Sequence, residues 1–229
     1  AMHQANYLPW IGYFYKMMQS DVFVYLDNVQ YPRGQSFAAR NRIKTPNGPS
    51  YLTVPISLPK GQKGKASYRE VGFSDERWKD KHLKSVSLNY KKAPFFDEVM
   101  ALYEGQLSKS HDALPDLNMD LIEAIADYLS IDTKRVRLSQ LLKDHGQKTE
   151  LIIDICQALP ADAYLSGTGG GKAYNDEQQL QDAGIELLYS DFKHPVYNQL
   201  WGDFVSHLSI IDLLFNHGKE STRIIGEAH

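Results

Sequence analysis

Short apolar runs alternate with amphipathic stretches along most of this chain. After Pro9, apolar positions recur at spacings of three and four, which predicts a helix whose start is favoured by proline. These positions are Trp10, Phe14, Met17 and Met18. The apolar, aromatic and β-branched run DVFVYL (21–26) predicts a buried strand. The segment SYLTVPIS (50–57), which follows the turn TPNGP, predicts a second strand.

Three consecutive segments in the middle of the chain carry apolar residues at helical spacing, with polar residues between them. They are DERWKDKHLKSVSLNY (75–90), PFFDEVMALYEGQLS (94–108) and LPDLNMDLIEAIADYLS (114–130). Such stripes are typical of helices that pack one face on a core. We therefore expect a helical insertion or flank around residues 75–130 that covers a sheet.

Strands and helices alternate in the last third of the chain. The predicted strands are 134–139, 162–167 and 185–190, and the predicted helices are 148–159, 175–184 and 207–218. Asn175 is the expected N-cap of its helix, and Gly184 is the expected stop. This alternation predicts an α/β fold with a mostly parallel sheet flanked by helices, in a single domain over 1–229 with a helical subregion at 75–130. Ligands of such sheets bind beyond the carboxyl ends of the strands.

Composition narrows the classes of partner. The formal charge of −3 over 229 residues gives no general attraction to nucleic acid or to anionic membranes, and no nucleic-acid-binding motif is present. No run approaches the roughly 20 apolar residues of a membrane span, and no signal peptide is visible, so a cytoplasmic protein is expected. The eight histidines are scattered and the single cysteine is Cys156, so no metal site is expected.

Polar side chains crowd the opening of the chain, ahead of the first predicted helix. The candidate ligand-binding residues there are Gln4, Asn6 and Tyr7, together with His3. In a strand-to-helix loop, backbone N–H groups favour an anion and such side chains can bond sugar or phosphate oxygens. His3 is a candidate general base because the pKa of histidine lies near neutrality. Plainer interpretations stay open, namely helix capping, packing, or disorder of His3 near the chain start.

Two further groups of candidate site residues follow along the chain. Asp27 comes after the predicted strand 21–26 and is a candidate catalytic carboxylate, with Gln30 alongside it as a binding residue. The segment FAARNRIK then supplies a second set of binding candidates, which are Arg40, Asn41, Arg42 and Lys44. If this segment is extended, its three cations project to one face and can hold phosphate or carboxylate. If it is helical, they form a solvated basic face.

The segment LSGTGGGKAYNDE raises the possibility of nucleotide binding. It is not a Walker loop, because Ser166 takes the place of the first glycine and Ala173 follows the lysine. A glycine run after a strand still exposes backbone N–H groups, and the lysine adds a cation. The candidates for contact with a phosphate or nucleotide-sugar are Ser166, Gly167, Lys172 and Tyr174, and a plain mobile loop is the alternative.

The segment FKHPVYNQLWGDF mixes polar and aromatic side chains that suit stacking on a pyranose or a base. His194 is a second candidate base, or else a satisfied loop histidine, and Tyr197 and Gln199 are binding candidates. Asp212 lies within the apolar run SIIDLLF, where a carboxylate needs a partner or a site. We expect its partner to be a basic or amide group near Arg40.

Five stretches of the chain together resemble the WbqC-like protein family over nearly the whole sequence. They are HQANYLPWIGYFYKMMQSDVFVYLDNVQY, RNRIKTPNGPSYLTVPI, LNYKKAPFF, YLSGTGGGKAYNDE and HPVYNQLWGDFVSHLSIIDLLFNHG. The resemblance implies an association with bacterial O-antigen and other surface-polysaccharide loci, and a role in transferring an amino acid such as glycine to a glycan. The chain departs from the family at Ala5, where the family reads proline. It also lacks the short apolar strand that the family has before His3, so we expect a late start or a truncated edge.

A more remote resemblance links the layout to the HxGH nucleotidylyltransferases, through a turn, Pro-x-x-Gly, a helix and a strand that begins with Ser-Asp. Trp10-Ile11-Gly12-Tyr13 stands in place of His-x-Gly-His, so both imidazoles are missing. These imidazoles would stabilise the pentavalent phosphate of nucleotidyl transfer. This resemblance therefore implies a nucleotidylyltransferase-like fold without that activity.

The sequence thus predicts a transferase of surface-polysaccharide (O-antigen) biosynthesis that acts on a nucleotide-linked or lipid-linked sugar and adds an acyl or aminoacyl group. The alternatives are a non-catalytic nucleotide- or glycan-binding accessory protein, and an ATP-dependent activating enzyme. The expected partner is a small-molecule sugar or nucleotide substrate. No cofactor is evident apart from a nucleotide or nucleotide-sugar.

Overall fold

Three parallel strands form the sheet at the centre of the fold, in the order β1 (Met2–His3), β2 (Val22–Tyr25) and β7 (Lys134–Arg137). A computed structural model describes residues 1–32, 34–61, 64–167 and 175–229. Met2 pairs with Val24, and each residue of β2 pairs with one of β7. Because side chains alternate along a strand, His3 and Tyr25 share one face of the sheet, and Met2 and Val24 share the other.

Six further strands form three pairs. Strands β3 (Arg40–Thr45) and β4 (Gly48–Thr53) make an antiparallel hairpin, and the short strands β5 (Ile56–Ser57) and β6 (Gly72–Phe73) also pair antiparallel. Strands β8 (Ala163–Ser166) and β9 (Glu186–Tyr189) are parallel. The described helices are α1 (Ile11–Met18), α2 (Trp78–Tyr90), α3 (Phe96–Leu107), α4 (Leu114–Tyr128), α5 (Leu138–Leu141), α6 (Thr149–Ala158), α7 (Glu177–Asp182), α8 (Ile210–His217) and α9 (Ser221–Gly226).

The apolar interior is divided between the two faces of the central sheet. The larger cluster holds Phe23 and Tyr25 of β2, together with the buried faces of α1, α2, α3, α4, α8 and α9. The smaller cluster holds Met2 and Val24, together with residues of α6, α7 and β8. The predicted α/β class and the predicted helical flank around 75–130 are therefore confirmed, since α2, α3 and α4 all pack into the larger cluster.

A recess shows how β8 is oriented relative to the central sheet. It is lined by Ser20 and Asp21, which precede β2, and by Ala161 and Asp162, which precede β8. The amino ends of these strands therefore face the same side. Strand β8 pairs with β9 in a sheet separate from the central one, and the carboxyl ends of parallel strands are where such sheets bind ligands.

Several elements differ from the sequence prediction. The opening residues do include a short strand, β1, because Met2 and His3 join a parallel ladder with β2. The predicted strand 50–57 is divided at Pro55, which has no N–H for a ladder. The carboxylate of Asp176, and not the side chain of Asn175, caps α7 by accepting from the Gln179 N–H at 3.1 Å. Helix α9 was not predicted. Within the described residues, every helix is too short or too polar to cross a membrane.

Candidate functional site

His3 ends β1 at the carboxyl edge of the central sheet and is half-buried. Its Nδ1 lies 2.9 Å from the Gln4 carbonyl oxygen, which can only accept, so Nδ1 carries the proton and Nε2 keeps a lone pair. No hydrogen bond joins Nε2 to the described residues, and this atom is not fully buried. Burial, and secondly the charge of Lys16, lower the pKa of His3 to about 3, so the ring is neutral at physiological pH.

The other opening residues differ in their surroundings. The side-chain amide of Gln4 donates to the Gln30 carbonyl at 3.2 Å, and the Gln30 amide donates to the Gly64 carbonyl at 2.5 Å, so both line the rim near His3. Asn6 is half-buried, and no side chain caps α1. Tyr7 is fully buried, and its hydroxyl lies 2.8 Å from His82 Nδ1 and 2.6 Å from the Tyr103 hydroxyl. The structure therefore gives Tyr7 a packing position inside the core.

Asp27 is buried just after β2, and both of its carboxylate oxygens are engaged by one residue. They accept from the Ser139 N–H at 2.9 Å and from the Ser139 hydroxyl at 2.5 Å. Ser139 lies in the first turn of α5, after β7, so the carboxylate caps that helix and joins the ends of two adjacent strands. Asp27 lies at the predicted edge of the sheet, with its acceptors already occupied.

The predicted phosphate loop is only partly described. Ser166, the last residue of β8, is buried, and its hydroxyl accepts from the Asn175 amide at 3.0 Å. Gly167 follows directly after the strand. Lys172 and Tyr174 lie outside the described residues, with the rest of segment 168–174.

A buried polar network brings together four of the predicted residues from β3, α8 and the loop between β9 and α8. Lys44 Nζ donates to Gln199 Oε1 at 2.9 Å and to the Asp203 carbonyl oxygen. Asp212 accepts from the Tyr90 hydroxyl at 2.8 Å and from the Tyr197 hydroxyl at 2.9 Å. The sequence predicts a basic or amide partner of Asp212 near Arg40. The two tyrosine hydroxyls bond its oxygens, and the charge of Lys44, on the same strand as Arg40, and the Gln199 side chain also stabilise the carboxylate. Burial raises the pKa of Asp212, and these hydroxyls act in the opposite direction.

His194 has both ring nitrogens engaged by the backbone. Nδ1 donates to the Pro195 carbonyl at 2.9 Å, and Nε2 accepts from the His207 N–H at 3.0 Å. Burial lowers its pKa. The structure thus leaves this histidine no free lone pair for proton transfer while these contacts hold.

The segment that holds Arg40, Asn41 and Arg42 is extended as β3, so both arginines and Lys44 lie on one face of the strand. Arg40 donates to the Gln35 side chain, and its guanidinium lies 4.3 Å from the ring centre of Tyr51. Arg42 donates to the His207 carbonyl at 3.2 Å. On the opposite face, the buried Asn41 amide donates to the Leu8 carbonyl at 2.6 Å and so fixes the turn before α1.

Two residues beside His194, Trp10 and His207, were not among the predicted site residues. Trp10 precedes α1 and stacks on His207 with ring centres 5.2 Å apart, and it also lies 6.4 Å from His194. His207 is exposed and has a φ of +57°, which is rare for a residue other than glycine. A tryptophan after proline in a helix start was visible in the sequence, whereas the positive φ of His207 had no sequence signal.

Helix α1 connects the two groups of candidates. Tyr13 contacts the ring of His3 at 5.0 Å, and Trp10, one turn earlier, contacts His194 and His207. Near the carboxyl edge of the central sheet lie His3, Gln4, Asp27 and Gln30, and Ser166 ends β8 of the separate pair. Around the loop that precedes α8 lie Arg42, Lys44, His194, Tyr197, Gln199 and Asp212, whereas Arg40 contacts Gln35 and Tyr51. The recess of about 280 Å³ at the opposite, amino edge contains none of these residues. Within the described ranges, no three His, Cys, Asp or Glu side chains form a group that could hold a metal ion.

Comparison with known proteins adds a family and one relative. A family model described as the WbqC-like protein family matches residues 4–224. The chain is 35% identical over 225 residues to a protein of Mycobacterium tuberculosis (strain ATCC 25618 / H37Rv) described as "Uncharacterized protein Rv1507c". That alignment covers 96% of this chain and 94% of the relative. No solved structure matches the chain significantly.

Proposed function

The chain belongs to the WbqC-like protein family, and on this basis we propose that it is a transferase of bacterial surface-polysaccharide biosynthesis. Its substrate in this proposal is a nucleotide-linked or lipid-linked sugar, to which it adds an acyl or aminoacyl group such as glycine. The pathway follows from the locus association that the family resemblance implies. The reaction type follows from the state of one histidine.

His3 carries the proposal because its Nε2 is unprotonated, has no partner among the described residues and is not fully buried. It stands at the carboxyl end of β1, with the amides of Gln4 and Asn6 next in the chain. A neutral imidazole in this tautomer can take a proton from an attacking amine or hydroxyl. The neighbouring amides can bond the hydroxyls of a sugar and hold it in place.

The transfer step in this proposal is an attack by an amine of the acceptor sugar on the carbonyl carbon of an activated acyl donor. A C–N bond forms, and the bond from that carbon to the leaving group breaks, with the electron pair going to the leaving group. His3 Nε2 takes the proton that the amine loses. No cofactor is required by this step beyond the activated donor.

The low pKa of His3 sets a condition on the substrate. With a pKa of about 3, the imidazole is a weak base while the site holds no anion. A phosphate group close to the ring would favour the imidazolium and raise this pKa. A phosphorylated sugar is therefore the substrate class that best fits His3 as a base.

Turnover with the purified protein tests the proposal. Amino-sugar nucleotides are incubated with adenylate- or thioester-activated glycine and acetyl donors, and mass spectrometry detects the added acyl group. We expect His3→Gln to lower the rate by about 100-fold or more. His145→Gln is the matched control, because His145 Nδ1 also lies 2.8 Å from the carbonyl oxygen of the next residue, Gly146. Full activity in a folded His3→Gln variant would contradict the proposal.

A second candidate is a non-catalytic nucleotide- or glycan-binding accessory protein. The engaged nitrogens of His194 and the low pKa of His3 favour it, since neither histidine is a strong base without a ligand. Binding of the same sugars without turnover by any donor pair would support this candidate. The ATP-dependent alternative relied on the remote nucleotidylyltransferase resemblance and stays a prediction. The lysine-containing loop of that layout, residues 168–174, lies outside the described part of the chain.

A further inference from the structure

Two arginines of β3 are half-buried without a carboxylate partner. Arg40 and Arg42 form no ion pair with the acidic residues of the described chain, whereas the half-buried Arg135 and Arg137 each do. Removing a guanidinium from water costs free energy unless acceptors replace the water. Arg40 and Arg42 therefore differ from the arginines that have a structural ion pair.

The acceptors that these arginines do have are neutral and few. Arg40 Nη1 donates to the Gln35 amide oxygen, and Arg42 Nη2 donates to the His207 carbonyl at 3.2 Å. The other terminal nitrogens, Nη2 of Arg40 and Nη1 of Arg42, have no described partner and are not fully buried. Two guanidinium groups on one strand face thus keep free donors, which is the arrangement that binds phosphate oxygens.

Lys44 adds positive charge to the same face. It is buried two residues beyond Arg42, and both acceptors of its Nζ are neutral oxygens, of the Gln199 side chain and of the Asp203 backbone. The charge of Lys44 acts on Asp212, but the oxygens of that carboxylate accept from tyrosine hydroxyls. The β3 face is therefore locally cationic in a chain whose formal charge is −3.

Aromatic rings flank the arginines on both sides. Tyr51 lies opposite Arg42 in the hairpin, is 47% exposed, and has the Arg40 guanidinium 4.3 Å from its ring centre. On the other side, the exposed ring of His207 stacks on Trp10 at an interplanar angle of 20°. Exposed rings beside cations suit a pyranose that carries a phosphate, because the sugar face stacks while the oxygens bind guanidinium.

The backbone of His207 is held in a strained conformation that displays this ring. Its φ of +57° costs free energy for a residue other than glycine. Its N–H is bonded to His194 Nε2 and its carbonyl to Arg42, so the conformation is fixed from both sides. Strain of this kind concentrates at ligand-binding positions.

We propose that Trp10, Arg40, Arg42, Tyr51 and His207 form a binding surface for a glycosyl phosphate, which we name the arginine–ring surface. The guanidinium groups hold the phosphate or diphosphate, and the rings stack on the sugar. The inference rests on the proposed function and deepens it, because it names the residues that hold the phosphate and the sugar of the substrate. Trp10 directly precedes α1 and Tyr13 lies in its first turn, so the surface adjoins the helix that contacts His3.

Calorimetric titration at low ionic strength tests the arginines, with inorganic pyrophosphate and N-acetylglucosamine 1-phosphate as probes. We expect Arg42→Gln to weaken the binding of both probes by about 10-fold or more, because a charge-assisted contact is lost. Arg69→Gln is the control, since Arg69 is exposed, lies on no predicted site and has no ion pair with the described residues. Equal effects of the two substitutions, or no binding of either probe at millimolar concentration, would overturn the inference.

Gly12 lies against the Trp10 ring, so a substitution there tests the stacking role of the rings without removing a polar group. A Cβ on Gly12 would lie 2.5 Å from the indole, so Gly12→Ala has to displace Trp10. We expect weaker binding of N-acetylglucosamine 1-phosphate and unchanged binding of pyrophosphate. His207→Ala, which keeps the backbone contact with Arg42, should act in the same direction if Gly12→Ala unfolds. Unchanged sugar-phosphate affinity in both folded variants would refute the stacking role.

Vesicle sedimentation distinguishes the source of the phosphate. Phosphatidylcholine vesicles with a polyprenyl-diphosphate sugar test a lipid-linked substrate, and competition by a UDP-sugar tests a nucleotide-linked one. Either result supports the inference, whereas equal binding to phosphatidylglycerol vesicles would overturn it in favour of general anion attraction. His3→Gln keeps the arginines, so lost turnover with intact binding concerns the proposed transfer step, and lost binding in Arg42→Gln concerns the arginine–ring surface.

Discussion

Asp212 places a buried carboxylate on the apolar face of α8. The hydroxyls of Tyr90 and Tyr197 donate hydrogen bonds to this carboxylate and stabilise its charged form. In Tyr197→Phe, one of the two hydroxyl donors to this buried carboxylate is lost. We expect the free energy of unfolding at pH 7 to fall by about 2 kcal/mol, as measured by urea denaturation. The pKa of Asp212 should rise further, because a bond to its charged form is removed.

Tyr51→Phe is the matched control for this substitution. Tyr51 is exposed, and its hydroxyl makes no hydrogen bond to the described residues, so we expect almost no change in stability. Equal effects of the two substitutions would show that the Tyr197 hydroxyl bond to Asp212 does not contribute to stability.

His82 provides a pH-dependent contribution to stability. Its Nε2–H donates to the Thr53 carbonyl at 3.2 Å, so its Nδ1 accepts from the Tyr7 hydroxyl, and burial lowers its pKa to about 4. Between this value and the ordinary pKa near 6.5, the unfolded chain binds the proton and the folded chain does not. Stability therefore falls as the pH drops below 6.5, and this loss continues to about pH 4.

Urea denaturation at pH 7 and at pH 5 measures this contribution. The wild-type protein should lose stability on acidification, and the loss in His82→Gln should be smaller by about 2 kcal/mol. His145→Gln, at a half-buried position outside the core, should lose as much as the wild-type protein. The same pH dependence in all three proteins would mean that His82 is protonated within the fold.

At the scale of elements, Gly218 determines how α8 ends. It has a φ of +54° and a ψ of −136°, and a Cβ there would lie 2.5 Å from the ring of Phe95, which precedes α3. Gly218→Ala combines backbone strain with a clash, so we expect a loss of about 3 kcal/mol or more in urea unfolding. Gly184→Ala isolates the strain, because its φ is +75° and nothing lies within 4 Å. Equal losses would show that Phe95 moves without cost.

The elements that the sequence predicted well have long, local patterns. Helices α2, α3 and α4 and strands β2 and β8 come within a few residues of their predicted bounds, because apolar periodicity reflects the buried face directly. Strand β1 escaped the prediction because two residues carry no periodicity and depend on pairing with β2. Segment 40–45 was ambiguous, since Arg40, Arg42 and Lys44 fit either a strand or a helix until the pairing with β4 is known.

The sequence predicted which polar residues lie at strand ends, but it did not predict the hydrogen-bond partners of the candidate site residues. His3, Asp27 and Ser166 do lie at or just after the carboxyl ends of parallel strands, the first two in the central sheet and Ser166 in the separate β8–β9 pair. One partner of Asp212 is Tyr90, which is 122 positions away, and His194 Nε2 is engaged across the loop by the His207 N–H. Contacts of this kind depend on tertiary packing, so a local pattern cannot reveal whether a polar side chain is free or already engaged.

At the scale of the whole molecule, the central sheet separates two apolar clusters of different size. The larger cluster includes Trp78 as a buried member, and Trp10 packs against it. The smaller cluster includes Cys156, the single cysteine of the chain. The sequence predicts a single domain. Tryptophan fluorescence reports on the larger cluster and the Cys156 thiol on the smaller one, so the unfolding of each cluster can be followed by its own probe.

Because the smaller cluster buries fewer apolar side chains, we expect it to open at lower denaturant than the larger one. Cys156 is buried and burial raises its pKa, so its thiol should react with DTNB only after opening. In increasing urea, the thiol reaction should accelerate before tryptophan fluorescence changes. The rate in fully denaturing urea gives the reference for an exposed thiol, and Cys156→Ser reports the background. Coincident transitions would instead establish that both faces of the sheet unfold as one cooperative unit.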